Sequence, residues 1–117
     1  MKLFKHLFNA FLYSSAGLVA AWRGEKSFRL IVLLVVVAVP AACFLPLSTV
    51  ARVLLIGAHG LTLVVELLNT AIEAAIDRIG EERHPLSKKA KDCGSAAQMV
   101  MLVLIAALWG AALWGCV

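Results

Sequence analysis

Charge is scarce in this sequence. Asp, Glu, Lys and Arg make up 15% of its 117 residues, and none occurs between Arg29 and Arg52 or after Asp92. A soluble domain needs a charged surface to cover its core, so 62% hydrophobic residues and a mean hydropathy of +0.94 exclude an ordinary soluble fold. Cysteine is limited to Cys43, Cys93 and Cys116, which make neither an even disulfide set nor any CxxC or Cys/His metal spacing. Each reads as a small apolar residue. GxxxxGK[ST], GxGxxG, HRD and DFG motifs are all missing, which sets aside the familiar soluble nucleotide sites. The excess of 11 Lys and Arg over 7 Asp and Glu, a net charge of +4, speaks to orientation in a membrane and not to nucleic acid.

What is present is a set of long apolar runs. Residues 30–51 carry no charge and are long enough to cross a hydrocarbon core of roughly 30 Å, so a first span is expected over 29–47. Pro40 is tolerated inside it, and Pro46-Leu-Ser-Thr49 reads as the turn that ends it. A second span is expected over 50–78, a charged loop over 79–92, and a third span over 93–115, with Trp109 and Trp114 near its far end. The expected fold is therefore an all-α membrane protein forming one domain over 1–117.

Ten of the eleven basic residues gather before the first span or after the second, leaving only Arg52 on the other side. Lys and Arg hold such ends in the cytoplasm, so the N-terminus is expected inside and the C-terminus outside. Residues 1–24 admit two readings. Lys2 and Lys5 ahead of apolar residues, with Ala20-Ala21 beyond, fit a signal peptide. Helical periodicity places Phe4, Leu7, Phe8, Phe11, Leu18 and Trp22 on one face and Lys2, Lys5, Asn9, Tyr13 and Arg23 on the other, which fits an amphipathic surface helix and is the reading adopted.

The second span breaks the apolar pattern with Glu66, Asn69, Glu73 and Asp77. Spacings of three, four and four put them within about 80° of arc on one helix face. At about 1.5 Å per residue, Glu66 lies roughly 16 Å deeper than Asp77, beyond easy snorkelling. Ionisable groups at such depth usually face a partner helix, a cavity or a ligand path. Asn69 alone is equally readable as interhelical glue, and Asp77-Arg78 as an interface ion pair. Two carboxylates beside a basic loop fit hydrated Mg²⁺, with Glu73 at the right depth. Glu66, in lower dielectric, suits a general base working near neutral pH, and a base buried in a membrane implies a lipid substrate. The loop Glu81–Gly94 supplies cations and opens the third span, whose N-terminus attracts phosphate. Lys88 and Lys89 read as anchoring charges, His59 as a helix-packing residue and His6 as a surface residue.

The run Glu66-Leu-Leu-Asn-Thr-Ala-Ile-Glu-Ala-Ala-Ile-Asp77 resembles the signature of the bacterial integral membrane diacylglycerol kinases. The resemblance continues through Asp77-Arg-Ile-Gly80, Leu86-Ser87 and Ala90-Lys-Asp-Cys-Gly-Ser-Ala-Ala97, and backward through Phe28-Arg29, Glu25 and Ala20-Ala-Trp22. It implies transfer of the ATP γ-phosphoryl group to the hydroxyl of diacylglycerol at the bacterial inner membrane. It implies Glu66 as general base, Glu25 and Glu73 as Mg²⁺ ligands, and Tyr13, Glu82, His84, Lys91 and Asp92 as ATP contacts, with Trp22, Asn69 and Ser95 lining the lipid side. It also implies a homotrimer whose sites form between subunits. Without it, Glu25 reads as an ion-pair partner of Lys26 or Arg29.

This chain departs from the better-known members at His6, where Arg is usual, at Leu30-Ile31, where Gln-Glu is usual, and at Arg83, where Tyr is usual. Relatives of the same fold phosphorylate undecaprenol, and the signature does not separate the two lipids; the Ala20-Ala-Trp22 region looks more like the diacylglycerol branch. A proton-coupled exporter built around a membrane Glu is the alternative from another class, and a structural subunit is a third.

Overall fold

The computed structural model describes residues 1–117 as four α-helices: α1 (Lys2–Gly24), α2 (Lys26–Phe44), α3 (Thr49–Ile79) and α4 (Pro85–Leu113). There is no strand. α2, α3 and α4 are each long and apolar enough to cross a membrane.

Heptad-like spacing of small and apolar residues decides how the helices pack. α2 buries Phe28, Ile31, Ala38 and Ala42, a three-and-four rhythm that gives one continuous stripe. α4 buries Gly94, Gln98, Ile105 and Ala112 in the same rhythm. α3 lies between them and packs on both, while α2 and α4 have no pair of Cα atoms within 8 Å of each other. Lipid tails are as apolar as Leu, so these contacts rest on close approach of small residues and on interhelical hydrogen bonds instead of on water exclusion. Ala42, Ala51, Leu55 and Ala112 form the apolar cluster at the end remote from the charged loop. Beside it His59 is fully buried, its Nδ1 2.7 Å from the Leu55 carbonyl and its ring edge-on to Trp109 at 6.1 Å, a packing role as its sequence position suggests.

The turns are held by side chains capping backbone. Glu25 is extended between α1 and α2, and Arg29 reaches back to donate to the Trp22 carbonyl at 2.8 Å. At the opposite end Arg52 donates from Nε to the Ala42 carbonyl at 2.9 Å and from Nη2 to those of Leu45 and Leu47 at 3.1 and 3.3 Å, joining the end of α2 to the start of α3. Ser48 caps α3, accepting from the Ala51 amide at 3.0 Å. The lone basic residue at that end thus staples the last turn of α2 to the loop that follows it.

α4 begins at Pro85, eight residues ahead of the uncharged run at Cys93, so the non-helical loop shrinks to Gly80–His84. Proline at the first helical position and the His84 side chain, whose Nδ1 accepts from the Leu86 amide at 3.1 Å, start the helix there. Absence of charge marks where a span enters lipid, not where its helix starts. The whole is a slab of 49 × 46 × 22 Å in which 16 of 117 residues are buried. Its wide apolar faces, including most of α1, stay uncovered within one chain.

Candidate active site

The stripe on α3 points into the seam with α4. Glu66 is 2% exposed, and Asn69 is also buried. Glu66 Oε2 accepts from Gln98 Nε2 at 2.9 Å; the same nitrogen donates to the Thr62 carbonyl at 3.1 Å, and Thr62 Oγ1 donates to Gln98 Oε1 at 2.7 Å. Glu66 Oε1 and Asn69 Oδ1 are buried with no partner. Unpaired buried oxygens are costly, and each one in a native fold calls for a reason.

Toward the charged loop the stripe becomes wetter. Glu73 is partly exposed and lies in the electrostatic field of Glu25, Lys91, Glu66 and Asp77. Neither Glu25 nor Glu73 is ion-paired; the chain's two salt bridges are Lys88–Asp92 and Lys91–Asp77. Asp77 therefore pairs across the seam with Lys91, at 2.7 Å, and not with its neighbour Arg78, because residues adjacent on a helix point away from each other. Glu25 likewise leaves Lys26 and Arg29 unpaired with it. Lys91 and Lys88 stand on the charged stretch of α4 ahead of its apolar run. Their hydrogen bonds to Asp77 and Asp92 hold both ammonium groups above their ordinary values.

A cleft of about 860 Å³ opens here, lined by Asp77, Glu82, His84, Lys88, Lys91 and Asp92 among others, at the N-terminus of α4. Four residues expected to meet ATP, Glu82, His84, Lys91 and Asp92, thus come together. His84 has a second task, since its Nδ1 caps the helix and the ring proton is left on Nε2. A smaller groove between α1 and α3 is bordered by Glu25, Ala20, Ala21 and Thr70. Tyr13 and Trp22 line neither of these, and both are exposed on α1. Ser95 is exposed, while its neighbour Gly94 meets Asn69.

Gln98, Thr62 and Gly94 are absent from a reading based on charge. Gln98 sits in an uncharged run, so a search for ionisable residues passes over it. Thr62, four residues before Glu66, extends the stripe by one turn and is legible from spacing alone.

Within the chain no group of three or more His, Cys, Asp or Glu side chains converges as a complete metal cage. Glu25 and Glu73 nonetheless fit Mg²⁺, which takes one or two carboxylates and completes its shell with waters and substrate phosphates. The arrangement defines a small polytopic membrane protein in which α3 leads from a buried carboxyl group, past a carboxylate pair completed by Glu25 of the α1–α2 junction, to a cleft of mixed charge at the start of α4.

Comparison with known proteins adds the family. Residues 12–113 match the model of the prokaryotic diacylglycerol kinase family. The chain is 54% identical to a diacylglycerol kinase of Pseudomonas aeruginosa over 95% of its own length and 90% of the relative's. It is 45% identical to one of Escherichia coli K12, covering 95% and 91%, and 46% identical to one of Helicobacter pylori, covering 93% and 85%. The chain belongs to the prokaryotic diacylglycerol kinase family.

Proposed function

We propose that this protein phosphorylates 1,2-diacyl-sn-glycerol to phosphatidic acid with ATP at the cytoplasmic face of the bacterial inner membrane. The N-terminus lies in the cytoplasm and the C-terminus in the periplasm, in keeping with ten basic residues at the end that carries the cleft. The observation that carries this reading is the order of groups along α3. A lipid-depth carboxyl group with one free oxygen leads through Glu73 to a cleft of mixed charge, with Lys88, Lys91 and Arg83 among its lining, at a helix N-terminus. That order matches a reaction joining a membrane alcohol to a phosphate donor from water.

In this reading Glu66 Oε1 takes the proton from the lipid hydroxyl. Glu25 and Glu73 hold Mg²⁺, which when bound offsets the negative charge of the ATP phosphates. Tyr13, Glu82, His84, Lys91 and Asp92 contact ATP, with the α4 N-terminus adding its dipole. The Lys91–Asp77 pair is exposed and solvent-screened, so it is readily exchanged for phosphate. Trp22, Asn69 and Ser95 line the lipid side. Phosphoryl transfer needs positioning and charge neutralisation more than covalent chemistry, so a few charges suffice.

A homotrimer completes the site. A slab with uncovered apolar faces encloses nothing alone, and Tyr13 and Ser95, both exposed on this chain, are free to face a site on another copy. The test is transfer of label from ATP by the purified protein in mixed micelles holding diacylglycerol and undecaprenol with Mg²⁺. Label in phosphatidic acid is expected. Label in the polyprenol alone changes the substrate, and label in neither lipid returns the exporter.

A further inference from the structure

We infer that Gln98 and Thr62 are positioning residues that reserve one particular oxygen of Glu66, Oε1, as the atom that exchanges a proton with substrate. The inference rests on the reading of Glu66 as the general base and adds which atom acts and what holds it.

The argument comes from donor and acceptor counting. Gln98 Nε2 has two hydrogens and no free lone pair, and it faces two oxygens, the Thr62 carbonyl at 3.1 Å and Glu66 Oε2 at 2.9 Å. Gln98 Oε1 faces the Thr62 hydroxyl, which donates to it at 2.7 Å. Reversing the amide would set its oxygen against the Thr62 carbonyl with no hydrogen between, whatever the state of Glu66. The orientation is therefore locked, and Glu66 Oε2 must accept. A proton on Oε2 would point at a nitrogen that cannot receive it, so a protonated Glu66 carries its proton on Oε1. That oxygen is buried and unpartnered.

All three side chains of this lock are at least nine-tenths buried, in a seam between two spans where an unsatisfied amide is costly. No charged side chain makes a hydrogen bond to Glu66, although Glu73 lies within its electrostatic reach. On α3 the charged groups are Glu73, one turn beyond Asn69, and Asp77. On α4 the nearest charges are Lys91 and Asp92, and from the α1–α2 junction come Glu25, Lys26 and Arg29. His59 bonds the Leu55 carbonyl. None of these donates a hydrogen bond to Glu66, so Gln98 is its one fixed donor within the chain.

The proton balance is simple. The O–H bond of the lipid alcohol breaks and its proton passes to Glu66 Oε1. The alcohol oxygen bonds to the γ-phosphorus, and the bond from that phosphorus to the β-bridging oxygen breaks, releasing ADP. Glu66 then loses the Oε1 proton to water. Oε2 stays bonded to Gln98 throughout, so the carboxyl group need not rotate between turnovers.

The test is the separate values of kcat and KM, with thermal unfolding beside them, in Gln98→Leu and Thr62→Val. Gln98→Leu removes the donor that fixes Oε2 and frees the carboxyl group to rotate. Loss of orientation lowers kcat about tenfold or more, while KM for ATP and the Mg²⁺ dependence stay as they are. Thr62→Val, nearly isosteric, leaves the amide oxygen unpaired and lowers kcat the same way by less; it decides the matter if Gln98→Leu does not fold. A role in packing alone lowers thermal stability and leaves kcat of the folded protein in place, and that result overturns the inference. Glu66→Gln, measured alongside, separates the two levels. An inactive Glu66→Gln with unchanged kcat in the other variants removes the positioning role and keeps the base, whereas an active Glu66→Gln removes both.

Discussion

Asn69 on α3 lies directly against Gly94 on α4, so closely that a Cβ at position 94 would overlap its Oδ1 and crowd its Cγ. The glycine is needed for space and not for backbone conformation, since it sits inside a regular helix. One turn deeper on each helix, Glu66 meets Gln98. The same close seam therefore holds both polar pairs, and whatever widens it at Gly94 also loosens the carboxyl group.

Gly94→Ala is expected to cost about 1–3 kcal/mol by overpacking, because the obstruction is an amide held in a helix seam and not the free tip of a long side chain. Thermal unfolding in detergent should show the loss, accompanied by reduced turnover. Wild-type stability in this variant would mean that Asn69 has room to swing aside.

Glu66→Gln is expected to lower turnover by about 10²- to 10⁴-fold, the usual contribution of a general base, while leaving ATP binding nearly intact. Glu66 belongs to the buried seam, and the cleft beside the loop is lined by other residues. Equilibrium ATP binding set beside single-turnover phosphorylation checks this. Equal loss of both would tie Glu66 to nucleotide binding instead.

The three spans were legible because lipid imposes length and apolarity, and both are visible in a string of residues. The stripe Glu66, Asn69, Glu73 was legible for the complementary reason, since carboxyl groups in an apolar run stand out. Gln98 was not, because an uncharged polar residue in a span is common enough to pass, and its meaning appears only when Thr62 and Glu66 are seen opposite it. Arg52 reads as a stray charge until its three carbonyl partners are known. The start of α4 was obscured because a helix can continue beyond the membrane, and Pro85 with the His84 cap set its beginning inside the charged stretch. Asp77 illustrates the limit of adjacency: Arg78 follows it in sequence, but Lys91 faces it in space.

Arg52→Met keeps the length of the side chain and removes all three hydrogen bonds to the carbonyls of Ala42, Leu45 and Leu47. The partial exposure of Arg52 moderates the effect, so the expected loss is about 1–2 kcal/mol of stability. Turnover of the folded fraction should be unchanged, because this turn is at the end of α3 opposite the cleft. A specific loss of turnover with full stability would link that end to the reaction.

Glu73→Gln is expected to raise the Mg²⁺ concentration needed for half-maximal activity by about tenfold or more, since one of two unpaired carboxylates is lost from the set that fits the ion. Glu25→Gln should act in the same direction. Titration of activity against Mg²⁺ at fixed ATP checks both, and an unchanged requirement would take the altered residue out of the metal shell.

The proposed sharing of sites between subunits leads to a prediction that no single variant tests. Chains carrying Glu66→Gln are expected to be nearly inactive alone, and chains carrying Glu73→Gln nearly inactive alone at a Mg²⁺ concentration below the one that half-saturates the unaltered protein. Co-assembled from a denatured mixture, they should regain activity if the base of one copy works with the acidic pair of another, because some sites then inherit only intact residues. The fraction recovered depends on how many copies contribute to each site. For a trimer with sites built from two copies it is a minority of wild-type activity at equal mixing. Absence of any recovery, with mixed assemblies verified by differently tagged chains, would place Glu66 and Glu73 of each site on the same α3. That outcome would leave the seam with Gln98 intact and confine the chemistry to one subunit.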